Sequence, residues 1–181
     1  NGVATFSGLM YTATSDGESF ALQANDVDGT GTNLSTVNAS ALSSDVVATQ
    51  LVFTTQPSGS TSGSALSTQP IVTAQDANNV TDTGFTELVT LSLASGSGSI
   101  SSNTATASSG VATFSGLIYT ATVDSESFTL QANDVDGTGS NLPTVNANAL
   151  NSDVVATQLV FTTQPFGSSS GSALTTQPVV T

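Results

Sequence analysis

Apolar and polar residues alternate along this chain with the period of a β-strand. Val89, Leu91 and Leu93 fall on one face of the stretch 88–93, and Leu88, Thr90 and Ser92 fall on the other. Phe128, Leu130 and Ala132 alternate in the same way with Thr129, Gln131 and Asn133. A period of two places successive side chains on opposite faces of a sheet, so each stretch predicts a strand with one apolar face. The stretch 50–56 is β-branched and aromatic, and it stops at Pro57. The stretch 69–75 predicts a strand opening at Pro70, where a missing N–H is tolerated. Asp76-Ala77-Asn78-Asn79 is turn chemistry, because Asp and Asn satisfy backbone groups locally. Residues 58–64 and 95–102 are rich in Ser and Gly and predict loops. The stretch 111–120 predicts a strand interrupted by a bulge or bend at Gly116. A last strand is predicted over 144–150, with Val145, Ala147 and Ala149 on one face. No stretch carries a helical stripe, and the many Ser and Thr suit exposed strand faces.

The pattern is written twice. Residues 2–73 and 110–181 align without a gap at an offset of 108, and 60 of the 72 pairs are identical. A fixed period marks a tandem array, and one of this length is a whole domain rather than one coil of a solenoid. No sub-period of 20–30 residues supports a β-solenoid. About seven short strands per 108-residue period, separated by turn signals, match an immunoglobulin-like β-sandwich. The expected fold is therefore all-β, with tandem sandwich domains. Residues 1–44 would end one repeat, 45–152 would form a complete one, and 153–181 would begin the next. A chain beginning and ending in mid-pattern reads as a window on a longer array.

Four blocks carry a family resemblance. They are Leu51-Val52-Phe53-Thr54-Thr55-Gln56-Pro57, Val72-Thr73-Ala74-Gln75-Asp76-Ala77-Asn78, Val89-Thr90-Leu91-Ser92-Leu93 and Gly110-Val111-Ala112-Thr113-Phe114-Ser115-Gly116-Leu117. Their order resembles the bacterial immunoglobulin-like repeats of very large secreted and surface proteins. The resemblance covers nearly the whole period. It implies export to the cell surface and a role as an extender in adhesins or surface fibres. The acidic run after Phe128 departs from the usual pattern of such repeats.

Composition narrows the chemistry. The chain has 13 carboxylates and no lysine, arginine or histidine, for a net charge of −13. Phosphate backbones and anionic membrane surfaces need Lys or Arg, so neither is an expected partner. The charge serves solubility and mutual repulsion between copies, or else a metal cation supplies the missing positive charge. Cysteine is also absent, which removes disulfides and thiolate metal sites. No apolar run approaches the roughly 20 residues that span a bilayer, so no membrane insertion is expected. Without His, Cys or Lys there is no nucleophile–base pair, and no enzyme is expected.

The best chemical motif is Asn25-Asp26-Val27-Asp28-Gly29-Thr30-Gly31, repeated as 133–139. Calcium prefers carboxylate and carbonyl oxygens on a flexible loop. Asp26, Asp28 and Thr30 have the spacing of an EF-hand loop, but Val37 stands where its bidentate Glu belongs. That leaves a partial oxygen cage, against the plain alternative of a polar turn. In a seven-strand sandwich these loops, the segment 76–82 and the stretch around Asp45 share one pole. The candidate calcium ligands are Asp26, Asp28, Asp76, Asn133, Asp134 and Asp136, with the ion at domain junctions. The pairs Asp16/Glu18 and Asp124/Glu126 have the i, i+2 spacing of a glycosidase carboxylate pair, but they read better as a solvated loop before a strand. Sequons at Asn33 and Asn38 are lost in the second copy and read as chance. The expected function is a non-enzymatic extracellular stalk or extender whose partners are neighbouring repeats. One alternative is a filament that exchanges strands between copies. The other is a module binding a surface glycan or another cell-surface ligand.

Overall fold

A computed structural model describes residues 2–26, 30–135 and 141–181. Among them the protein is all-β, with no helix. Twelve short strands run from residue 50 to 153: β1 (Gln50–Thr55), β2 (Ser60–Thr61), β3 (Ser64–Ala65), β4 (Ile71–Gln75), β5 (Leu88–Ser95), β6 (Ser99–Ser101), β7 (Thr104–Thr106), β8 (Val111–Thr113), β9 (Ile118–Thr120), β10 (Glu126–Asn133), β11 (Val145–Asn146) and β12 (Leu150–Asp153). One sheet has the order β8-β4-β1 and is antiparallel, with Thr73 of β4 facing Val111 on one side and Val52 on the other. A six-stranded sheet has the order β7-β5-β10-β12-β2, with β11 also pairing β10. Its β12–β2 pairing is parallel, Ser152 opposite Ser60. A small third sheet has the order β6-β9-β3.

The inward residues of these sheets form one core. Leu51, Phe53, Val72 and Ala112 come from the three-stranded sheet, and Val89, Leu91, Phe128, Leu130 and Ala132 from the six-stranded one. Phe114, Leu117 and Tyr119 join them. The Tyr119 and Phe128 rings stack at 3.7 Å, nearly parallel. Two sheets sharing one apolar interior is the arrangement of a β-sandwich.

The alternating stretches fold as the pattern predicts. Val89 and Leu91 are buried and Leu93 packs against the core, while Phe128, Leu130 and Ala132 have no exposed surface. Elsewhere the structure corrects the pattern. The predicted loop 58–64 holds β2 and opens β3, and the predicted loop 95–102 holds β6. Small polar side chains hide these strands, since their pairing is made by the backbone. The stretch 111–120 is not one bulged strand. It is β8 and β9 in two different sheets, and Gly116, at φ +67°, lies between them. The strand predicted over 144–150 breaks after Asn146. Asn148 N–H then donates to the Gln56 side chain at 2.9 Å, and Ala149 faces solvent while Leu150 and Ser152 turn inward.

Contacts of the central sandwich recur at the offset of 108. Strand Glu18–Phe20 pairs with Leu42–Ser44 in the register of β10 with β12. Strand Gln23–Ala24 pairs with Val37–Asn38 as β10 does with β11. The Gln23–Asn38 and Gln131–Asn146 side-chain hydrogen bonds are both 3.0 Å. Tyr11 stacks on Phe20 at 3.7 Å, as Tyr119 does on Phe128. Strand Phe161–Thr163 pairs with Val179–Val180 as β1 does with β4.

Candidate functional site

A network of polar contacts marks the passage from residues 2–44 into the central sandwich. Gly17 N–H donates to the Ser44 carbonyl at 3.0 Å, which closes the turn preceding Glu18–Phe20 against the end of Leu42–Ser44. Asp16, in that turn, reaches across. Its Oδ1 accepts the Val46 amide at 2.9 Å, and its Oδ2 accepts the Thr83 amide at 2.9 Å and the Thr83 hydroxyl. These donors hold the Asp16 carboxyl below the usual carboxylate range, the Thr83 hydroxyl contributing most. Asp82 grips the same linker from the other side. Its Oδ2 accepts the Ala48 amide at 2.9 Å, while its Oδ1 accepts the Gly84 and Phe85 amides. Val46 is buried, and Thr49 N–H then enters the ladder on the Gln75 carbonyl at 2.8 Å.

One bond of the junction recurs. Asp124, the copy of Asp16, accepts the Val154 amide at 2.9 Å, and Val154 is the copy of Val46. Sequence reading passed over Asp16 as a junction residue, although a signal was present. Asp16 and Val46 recur unchanged, while the neighbours Ser15 and Gly17 become Val123 and Ser125.

The candidate calcium ligands are distributed differently. Asp76 is half-buried and caps its own turn, its Oδ1 accepting the Asn78 and Val80 amides at 2.9 and 2.8 Å. These bonds lower its pKa, the Val80 amide first. Asp134 is fully buried, and both of its oxygens accept the Leu142 amide, at 2.9 and 3.0 Å. Asp26 accepts the Leu34 amide in the same way at 2.6 Å. Asn133, at the end of β10, accepts the Val135 amide. Asp28 and Asp136 lie outside the described residues. Each described candidate is thus an acceptor for nearby amides. Among the described residues, no three acidic side chains come together to hold a metal ion.

Glu126 corrects the solvated-loop reading. It opens β10, is buried, and collects donors from two turns. Oε1 accepts the Ser97 amide at 2.6 Å, the Ser97 hydroxyl at 2.7 Å and the Gly98 amide at 3.1 Å. Oε2 accepts the Thr122 amide at 2.7 Å. The carboxyl is held far below its ordinary range, first by the Ser97 hydroxyl and then by the Thr122 and Ser97 amides. Burial raises the neighbouring Tyr119 phenol, and its hydrogen bond to Glu126 raises it further. Glu18 repeats the arrangement with Thr14, whose amide it accepts at 2.7 Å. A carboxylate saturated by amides and hydroxyls is a structural acceptor.

Comparison of the chain with protein-family models, curated proteins and solved structures finds no match.

Proposed function

We propose that this chain is a length of non-enzymatic structural repeat: immunoglobulin-like sandwiches in series that give reach to an extracellular stalk, adhesin or surface fibre. The repeats would divide at residues 44 and 152. Strand placement supports the sandwich type. In this reading β1, β4 and β8 would take the places of strands A, B and E, and β5, β10 and β12 those of C, F and G. The sequence resemblance supports the surface location.

The observation that carries the reading is the junction. A spacer transmits length only if its units keep a fixed angle. Here one carboxylate, Asp16, binds the linker amide at Val46 and the following unit's loop at Thr83, so bending at the linker must break one of those bonds. Small-angle scattering of the 181-residue chain and of Asp16→Ala tests this. The variant should show a broader distance distribution and a less extended mean shape at unchanged strand content. Identical profiles would remove the junction from the reading.

A further inference from the structure

Asp16 bonds to both sides of a boundary. Its Oδ1 holds the linker at the Val46 amide, and its Oδ2 holds the amide and hydroxyl of Thr83 on the loop after β4. The acids nearest to it have other tasks. Asp82 bonds the linker at Ala48 and its own loop at Gly84 and Phe85, and Asp76 bonds the amides of its own turn. Glu126 bonds Ser97, Gly98 and Thr122, all within the central sandwich. The carboxyl that crosses the boundary is thus separate from the one that braces the sandwich.

Protonation changes what the Asp16 carboxyl can do. Ionised, its oxygens only accept, and the Val46 amide and both Thr83 donors point at them. Once protonated, one oxygen carries a hydrogen that competes with a donor for the same site. The Thr83 hydroxyl can rotate away, but the two amides cannot. The bonds that remain are those of a neutral acceptor, roughly half as strong as those of a charged one. The titratable groups on the surrounding elements are Tyr11 and Glu18 on the side of Asp16, Asp45 on the linker, and Asp76 and Asp82 in the turn and loop after β4. None is a cation, and the chain has none, so no ion pair takes over the contact when the charge is lost. Neutralising the neighbouring acids lessens repulsion across the boundary, which acts in the opposite sense.

The geometry points to an acid-released latch: uptake of a proton by Asp16 frees Thr83 and lets residues 2–44 move independently of a central sandwich that stays folded. The inference rests on the junction proposed above and adds its control. The order of release follows from the donors. Thr83 and Val46 hold Asp16 below the usual carboxylate range, whereas the Ser97 and Thr122 donors hold Glu126 much further below its own. A lowered folded pKa leaves the bonds intact above the unfolded value and loses them as pH falls through the folded one. The boundary therefore opens first and Glu126 lets go later. Asp124 makes the matching linker bond to Val154, so this element of the latch recurs one repeat on.

Nuclear magnetic resonance of the 181-residue chain in dilute solution, from pH 7 to pH 2, tests it. The Asp16 carboxyl carbon and the Val46 and Thr83 amides should titrate together, with a midpoint below the value of about 3.9 for a free Asp. The buried Leu91 and Leu130 amides should keep their shifts through that step. Nitrogen relaxation should show the two sides tumbling as one body above the midpoint and separately below it. Asp16→Asn, which has no charge to lose, should tumble as two bodies at every pH. A wild type already in two bodies at pH 7, or a variant that tumbles as one, would overturn the junction itself. A variant loosened at pH 7 beside a wild type that stays one body through its Asp16 titration would overturn the latch alone. So would Leu91 and Leu130 amides that shift in step with Thr83.

Discussion

The alternation that marks β10 does not stop where polarity begins. Phe128, Leu130 and Ala132 face inward, and the same phase extended by one step each way reaches Glu126 and Asp134, both buried. The period held at those positions, but a carboxylate looked like the end of a strand. What the sequence could not show was the set of donors that lets each acid sit inside. Those donors come from Ser97, Gly98, Thr122 and Leu142 and depend on turns formed by distant pairing. Glu126 leads to a pH expectation. A carboxyl whose folded pKa is depressed contributes its full stability above the unfolded value of about 4.3 and loses it as pH falls toward the folded value. The wild type should therefore destabilise progressively below about pH 4–5, where Asp16, Glu18 and Asp76 also lose their contributions. Glu126→Gln should melt lower than wild type at pH 7, and the gap should narrow toward pH 2. Thermal melts across that range measure it. Curves that stay parallel would show that the Glu126 charge is not what the site uses.

At the scale of elements, the apolar strands were legible and the polar ones were not. β5 and β10 announce themselves by alternation. β2, β6 and β7 are built from Ser, Thr, Ala and Ile in surroundings rich in Ser and Gly, where composition reads as loop. Their stability comes from backbone ladders and close approach, which leave little trace in hydropathy. Gly98 illustrates this. In the sequence it is one glycine of a Ser/Gly run, but in the fold it sits just before β6, with its amide donating to the Tyr119 hydroxyl and to Glu126. A Cβ there would collide with the Thr120 carbonyl and the end of the Tyr119 ring. Backbone and a buried, stacked ring cannot yield as a flexible side chain would. Gly98→Ala should cost about 1–3 kcal/mol, the usual range for forcing an extra carbon into packed structure. Gly63→Ala is the control: nothing lies within 4 Å of its added carbon, so any loss there comes from its positive φ alone. Urea unfolding at pH 7 gives both values. Equal losses would mean that the crowding at Gly98 is relieved by movement.

Across the whole molecule, the sequence disclosed the repeat, the β class and the absence of cations, but the junction had to be seen. Asp16 and Thr83 are 67 residues apart and meet only because the linker enters beside the loop after β4. The charge has a consequence at this scale. Thirteen carboxylates face no lysine, arginine or histidine, so added salt has no side-chain ion pair to weaken and only repulsion to screen. The screening length falls from about 30 Å at 0.01 M to about 10 Å at 0.1 M. Compaction brings these charges closer than in the unfolded chain, so screening favours the folded state. Melting temperature should rise between 0.01 and 0.3 M NaCl, with most of the rise below 0.1 M. A fall would show that the buried acceptors, not long-range repulsion, dominate the electrostatics. Calcium chloride at matched ionic strength completes the measurement. An increment beyond sodium would show that the folded protein binds calcium specifically. A matching curve would make calcium one more counterion, and the junction would then be held by Asp16 and Asp82 through hydrogen bonds alone.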